Sequence, residues 1–367
     1  MFDLSACSLR RLDMAMLSLN VIYLRQDCQI GIEASLFFYC LFPKNMGKIR
    51  IFDVNPMMSI GRGPELMHVN QRTLRKPVRF RGIGLHSGKT VNLTIKPAPI
   101  NHGIRFVRVD LPGTPGVTAQ FNRVVDTSLA TVIGSDGCIV STIEHLMATF
   151  SGLFIDNALI ELDAYEVPVM DGSAGPFTEQ ITKSGIESQG VPRHFFVLRE
   201  PIELVDGDKS VTAYPSDVFR ISCTIDFDHP LIGRQSLDVE VTDKIFATEI
   251  SRARTFGFLH EVEYMKRYGL ALGGSLDNAV VIDKDRIVNP GGLRFPDEFV
   301  RHKVLDCLGD FSLLGMPILG HLVVVKSGHA FNHAFLEKFF SCKESWETRR
   351  VPVPTPLRAE QPKSVAI

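Results

Sequence analysis

From residue 71 onward, apolar and polar positions along the chain fall into short, regular periods. Alternating runs at 90–95 and 103–109 sit between turn signals and read as strands, and helical periodicity follows at 142–150 and 175–184. The tetrapeptide Gln189-Gly190-Val191-Pro192 looks like a hinge. A second segment then repeats the rhythm, with strands at 194–205, 211–215 and 219–227 and helices at 243–253 and 299–315. It closes on a strand at 319–326 and a helix at 332–340. This order predicts an α+β protein of two domains, 67–190 and 191–346, followed by a disordered tail over 347–367. Residues 1–66 are different: they hold six of the eleven methionines and three of the seven cysteines, without sustained periodicity. The pattern places the natural start at Met67, with the preceding stretch a disordered or wrongly assigned extension.

Within the helix at 299–315, preceded by Pro296 and by Asp297 at the N-cap position, Val300, Val304, Leu308 and Phe311 recur on one face and are expected in the core. His302, Asp306 and Asp310 stand on another face, four residues apart each time. An imidazole and a carboxylate one turn apart can clasp a metal ion, and the same spacing also suits a solvated intrahelical pair. The run Ser141-Thr-Ile-Glu-His145 is equally two-sided. Ser141 and Glu144 match a capping box, while Glu144 and His145 could be a base beside a third metal ligand. His329 follows an apolar strand on a turn, and is either simply exposed or held protonated by Asp310 to meet a developing charge. Thr255, where a helix gives way to Gly257, offers a hydroxyl donor or a plain turn residue. Two histidines and one aspartate leave a zinc ion one open position, which suits hydrolysis at an unreactive carbonyl rather than a structural site. No His-Glu-x-x-His is present.

Composition narrows the classes. With 45% apolar and 22% charged residues and a formal net charge of −1, the chain has the balance of a soluble globular protein and no basic field for nucleic acid. The seven cysteines, at 7, 28, 40, 138, 223, 307 and 342, show no Cys-x-x-Cys and suit reduced thiols in a cytoplasm. Cys307 reads as a small buried apolar residue. The longest apolar run, 30–42, is too short to span a bilayer and contains Glu33, and no signal-peptide pattern opens the chain.

Over residues 71–340 the chain closely resembles the bacterial UDP-3-O-acyl-N-acetylglucosamine deacetylases, zinc amidases of lipid A synthesis. The matching blocks include QRTLRKPVRFRGIGLHSGK (71–89), STIEHLMA (141–148), IDNALIELDAYEVPVMDGSAGPF (155–177) and TIDFDHP (224–230). ISRARTFGF (250–258), LGGSLDNAVV (272–281), GLRFPDEFVRHKVLDCLGD (292–310) and KSGHAFN (326–332) continue the series in family order. The resemblance implies zinc, with ferrous ion as the alternative such a site admits, on His145, His302 and Asp306. It implies Glu144 as general base, Thr255 as oxyanion donor, His329 oriented by Asp310 as cationic stabiliser or acid, and Lys303 turned toward substrate. Phe256, Asp226, Phe227, Lys209 and Lys326 fall where the family contacts glucosamine and uridine diphosphate, and His86 on a nearby loop. Leu259, Val262, Leu270, Leu272, Ala279 and Val281 are candidates for an acyl-chain passage or for ordinary packing. The implied fold is two layers of related β-α-α-β topology packed face to face around the metal. Ala130 and Glu261 stand where some members have cysteine or aspartate and receive no role. A small-molecule UDP-sugar substrate, no nucleic acid, no stable membrane insertion and a monomer are expected. A zinc amidase for another acylated sugar, or a metal-stabilised module binding nucleotide-sugar lipids, are the competing readings.

Overall fold

The computed structural model describes residues 58–60, as backbone, and 68–350. The expectations for the rest of 1–66, for Met67 and for 351–367 lie outside these residues.

Alternation of buried and exposed positions builds a five-stranded sheet in the order Val78–Ile83, Thr90–Pro97, Ala158–Leu162, Ile104–Arg108, Gly116–Thr118. In Thr90–Pro97, Val91, Leu93 and Ile95 turn inward while Thr90 and Asn92 stay exposed, the period-2 pattern of a sheet with one covered face. A larger, eight-stranded sheet runs Met58–Ile60, Arg234–Glu240, Phe219–Asp226, Ile318–Val325, His194–Leu198, Trp346–Arg350. Lys209–Pro215 pairs with Ile318–Val325 as well, and Ile202–Asp206 lies beyond it. Its central pair, Phe219–Asp226 and Ile318–Val325, is parallel, which requires a long crossover, and that crossover carries Thr255, His302, Lys303, Asp306 and Asp310.

The helices are α1 (Glu144–Gly152), α2 (Gly175–Ser184), α3 (Asp243–Ile245), α4 (Leu259–Arg267), α5 (Glu298–Phe311) and α6 (His329–Ser341). Every residue of α1 except Ser151, and every residue of α5 except Lys303, is buried. Helices enclosed on all sides normally carry apolar residues all round. Glu144, His145, His302, Asp306 and Asp310 break that rule, each less than a tenth exposed. The two helices cross at Gly309, where a Cβ would stand 2.1 Å from the Glu144 carbonyl oxygen. Val300, Val304, Leu308, Phe311 and Cys307 lie in the core as the periodicity required.

Several sequence expectations need correction. Asp297 occupies the N-cap position of α5 but its carboxylate binds Arg301 Nε at 2.6 Å instead of capping, and α5 ends at Phe311 rather than Gly315. The predicted strand 194–205 is two strands, interrupted at Arg199-Glu200-Pro201, because proline cannot donate to a ladder. Helix 243–253 is replaced by α3 and a π-helical turn, Phe246–Ile250, whose Phe246 ring lies on the bare backbone of Gly152. The expected hinge at 189–192 is part of a strand, Ile186–Pro192, that pairs with Asn70–Leu74 and shifts register at Gly190, which takes a φ of 68°. Trp346–Arg350 forms a full antiparallel ladder with His194–Leu198, so the tail does not begin at 347.

Candidate metal centre and active site

The head of α1 and one face of α5 meet below the large sheet. Ahead of α1, Thr142 is held at a φ of 58°, a left-handed conformation unusual for a β-branched residue. Backbone strain of this kind is commonly found at functional sites. Helix α1 then begins at Glu144 itself, with Ile143 at its N-cap, so of the two readings the capping box does not form. Glu144 instead turns its Oε2 to accept the Thr131 main-chain N–H at 3.0 Å.

Among the described residues, His145, His302 and Asp306 bring one donor atom each within 4.8 Å of one another. Asp306 Oδ1 lies 3.8 Å from His145 Nε2 and 3.4 Å from His302 Nε2, and the two imidazole rings stand edge to face at 5.0 Å. His302 Nδ1 donates to the Ala253 carbonyl at 3.1 Å, which fixes the tautomer and leaves Nε2 as a bare lone pair. Burial, reinforced by the neighbouring His302, pushes the His145 imidazolium down to about 3, and burial lowers His302 as well, so both rings are neutral donors. Burial alone would raise the Asp306 carboxyl, but His302 and the Lys303 ammonium overcome it and hold the group below the usual carboxylate range. Asp306 Oδ2 takes the Lys303 ammonium at 2.8 Å, while Oδ1 is buried with no hydrogen-bond partner among the described residues. An orphaned anionic oxygen facing two neutral imidazole nitrogens is costly unless a cation completes it. The donor set therefore fits a divalent metal.

Around that cradle sit two groups able to move protons. Burial raises the Glu144 carboxyl to about 7, with Asp310 adding to the shift and His329 opposing it. His329 opens α6, rather than lying on a turn as the sequence suggested, and its Nδ1 donates to Asp310 Oδ2 at 2.8 Å. Burial disfavours its charge, yet Asp310 outweighs that and raises the imidazolium to about 10. Both carboxylate oxygens of Asp310 are engaged: Oδ2 also accepts from Asn332 Nδ2 at 2.8 Å, and Oδ1 from the Thr131 hydroxyl at 2.6 Å.

Thr255 lies between two positions that touch His302: Ala253 by its carbonyl, and Phe256 by a ring 6.2 Å from the imidazole. Its backbone is clamped on both sides, N–H to Gly172 O and C=O from Val280 N, each at 2.8 Å. Phe227 packs on Phe256 at 5.7 Å, and Lys303 Nζ stands 5.6 Å from the Phe256 ring. Lys326, at a φ of 53°, pairs with Asp208 at 2.6 Å and approaches Asp226 at 3.7 Å, while Lys209 begins the adjoining strand. His86 sits on a loop whose main-chain N–H groups bind Glu166, and both its ring nitrogens are buried without a partner among the described residues. Of the acyl-passage candidates, Leu270 and Leu272 are exposed, Leu259, Val262 and Ala279 half-buried, and Val281 buried. The cavity lined by Met147, Phe150, Phe219 and Phe311 contains none of the ligand residues and lies behind the site.

Four residues escaped the sequence reading. Thr131 and Asn332 complete Asp310, and Glu298 accepts the Arg254 main chain and guanidinium, tying the Thr255 loop to the head of α5. Glu166, fully buried, holds the loop of His86. No spacing marks them, because each acts across a long stretch of chain.

The family model described as LpxC, UDP-3-O-acyl N-acetylglycosamine deacetylase, matches residues 71–341. The chain belongs to this family. The UDP-3-O-acyl-N-acetylglucosamine deacetylase of Myxococcus xanthus is 54% identical over 278 residues, 76% of this chain and 88% of that protein. Those of Syntrophotalea carbinolica and Saccharophagus degradans are 51% and 48% identical, covering 76% of this chain and 90% and 93% of theirs. The family's α+β character agrees with the fold described above. Among the described residues no helix is long and apolar enough to cross a membrane, and Cys138, Cys223, Cys307 and Cys342 are free thiols.

Proposed function

We propose that this chain hydrolyses the 2-acetamido group of UDP-3-O-(hydroxyacyl)-N-acetylglucosamine to acetate and UDP-3-O-acyl-glucosamine, an early committed step of lipid A synthesis. The observation that carries the reading is the orphaned Asp306 Oδ1 between two neutral imidazoles, flanked by Glu144 and by the His329–Asp310 pair, in a chain of the deacetylase family. His145, His302 and Asp306 would hold the metal, zinc in this proposal, with ferrous ion the alternative for a His₂Asp set. When bound, it would supply Lewis-acid polarisation of the carbonyl and a lowered pKa for water.

Hydrolysis adds water's oxygen to the carbonyl carbon, breaks the C–N bond and leaves a proton on the departing amine. Glu144, raised to about 7, can accept the proton that the attacking water loses. His329, its Nδ1 committed to Asp310, keeps Nε2–H to meet the developing negative charge and to protonate the amine. Thr255 is the hydroxyl donor on the other flank, and Lys303 adds positive charge beside Asp306. Phe256 and Phe227 offer a face for the sugar, and Lys209, Lys326 and Asp226 a polar end for the uridine diphosphate. The acyl chain would run along Leu259, Leu270, Leu272, Ala279 and Val281. A ten-carbon chain buried at about 0.8 kcal/mol per methylene gives roughly 8 kcal/mol before ordering costs, so the passage should dominate affinity. The sheets segregate along the chain, 78–162 in one and, apart from 58–60, 194–350 in the other, which supports two domains meeting near 190 that share the metal. The free thiols favour a reducing, cytoplasmic setting.

The test is acetate release from the UDP-linked substrate and from its UDP-free analogue by the full chain, before and after chelation and metal return. Chelator-sensitive turnover that requires UDP is expected. Release that survives complete metal removal, or indifference to UDP, would overturn the reading.

A further inference from the structure

Thr131 touches both halves of the proton machinery and belongs to neither. It precedes the strand Val132–Ser135 and is 2% exposed. Each of its polar groups is engaged. Its N–H donates to Glu144 Oε2 at 3.0 Å, and its carbonyl accepts the Ile143 N–H at 3.3 Å. Its hydroxyl donates to Asp310 Oδ1 at 2.6 Å and lies 3.4 Å from His329 Nδ1. One residue therefore joins the head of α1, the last turn of α5 and the first residue of α6.

A buried carboxylate bound on one oxygen only can rotate about its Cβ–Cγ bond and trade oxygens with its partner. Asp310 cannot, because Oδ2 is occupied by His329 and Asn332 while Oδ1 is pinned by Thr131. Without the hydroxyl, Oδ1 would be a buried acceptor with nothing to accept, and the carboxylate would turn to recover a donor. His329 would then lose its aim relative to Glu144.

We propose that Thr131 is a positioning residue that locks Glu144 and the Asp310–His329 pair into one fixed frame, through its main chain on one side and its hydroxyl on the other. The proposal rests on the reading of Glu144 and His329 as the proton-handling groups. It concerns the hydroxyl, since any residue except proline supplies the N–H.

The test uses the metal-loaded full chain and three variants, with kcat, KM and metal content measured for each. For Thr131→Val, which keeps shape and removes the hydroxyl, kcat should fall about 10–100-fold, the range typical of an outer hydrogen-bond partner, with KM and metal stoichiometry unchanged. Thr131→Ser restores the hydroxyl and should keep kcat within about threefold of wild type. The far-downfield proton resonance of His329 Nδ1–H should move in the valine variant and not in the serine variant. Should the valine variant fail to fold, Thr131→Ala carries the same expectation. Wild-type kcat in a hydroxyl-free variant overturns the proposal, and so does an equal loss in the serine variant, which would mean packing alone. Glu144→Gln and His329→Gln, run alongside, separate the two levels. If these keep turnover the acid–base reading fails, and if they lose it while Thr131→Val does not, only the role of Thr131 fails.

Discussion

The crossing of α1 and α5 and the segment around α4 lie on opposite ends of a scale of enclosure. At the crossing, thirteen of the fourteen residues of α5 are buried, and the polar atoms of the site are bound to named partners or aimed at one another. Helix α4 has no buried residue, Tyr264 and Tyr268 lie tilted against each other at 4.8 Å largely in solvent, and Leu272 is 52% exposed. The first region can hold donor atoms to tenths of an ångström because packed cores deform little. The second presents apolar surface to whatever arrives, which suits a flexible acyl chain. The proposed chemistry and the proposed substrate grip thus fall on parts of the molecule with different mechanical character.

The largest effect should come from removing a ligand. Asp306→Asn or His302→Ala should lose both metal and turnover, measured by metal analysis and acetate release, and an unchanged metal content would take that residue out of the ligand set. Glu144→Ala should retain metal while turnover falls by about 10²–10⁴-fold, the usual contribution of a general base. Near-wild-type deacetylation would remove Glu144 from that role.

The pH dependence should be next in size. In the proposed reaction His329 acts as a cation, and a raised pKa keeps it charged until the pH climbs through about 10, so activity should be lost on the alkaline side near that value. In Asp310→Asn the largest of the charges that raise it is gone, Glu144 and Asp306 still raise it, and burial still lowers it. The alkaline limb should then move down from about 10 toward the ordinary imidazole value of about 6.5, making the variant worse on the alkaline side than wild type. An unmoved limb would break the link between Asp310 and His329.

The smallest effect belongs to the exposed region. Leu272→Ser should change stability by no more than about 0.5 kcal/mol, as expected of a surface position. It should weaken kcat/KM for a long-chain substrate by about 1–2 kcal/mol and leave a short-chain one nearly unaffected. Equal effects on both substrates would mean that Leu272 lines nothing.

The same contrast explains what the sequence disclosed. In α5 the apolar positions recur so regularly that His302, Asp306 and Asp310 stand out against them, but spacing alone left a ligand pair and a solvated intrahelical pair equally open, and it is their burial beside His145 that favours the first. Helix α4 was missed because it is short, Leu259–Arg267, and its half-buried Leu259, Val262 and Met265 are too few to stand out among the charged positions between them. His329 was placed on a turn because Gly328 reads as a loop residue, although it serves as the N-cap of α6. Thr131 was invisible for another reason: its partner Asp310 is 179 residues away, and only the topology of both sheets brings them together. Arg254 and Glu298, 44 residues apart, form a buried pair that no local pattern announces. Residues that perform chemistry on one helix face are written locally, while residues that hold those in register are written in the fold.

Gly309 carries neither charge nor hydroxyl, yet the site depends on what it lacks. Two of the three donors ride on α5 and the third on α1, so the dimensions of the metal cradle are set by how closely the two axes approach. A single methyl there would overlap the Glu144 carbonyl at 2.1 Å and drive the helices apart by more than about 1 Å, a displacement large enough to ruin an aligned reaction centre. The glycine works as a caliper: it sets the aperture of a candidate site that it never enters.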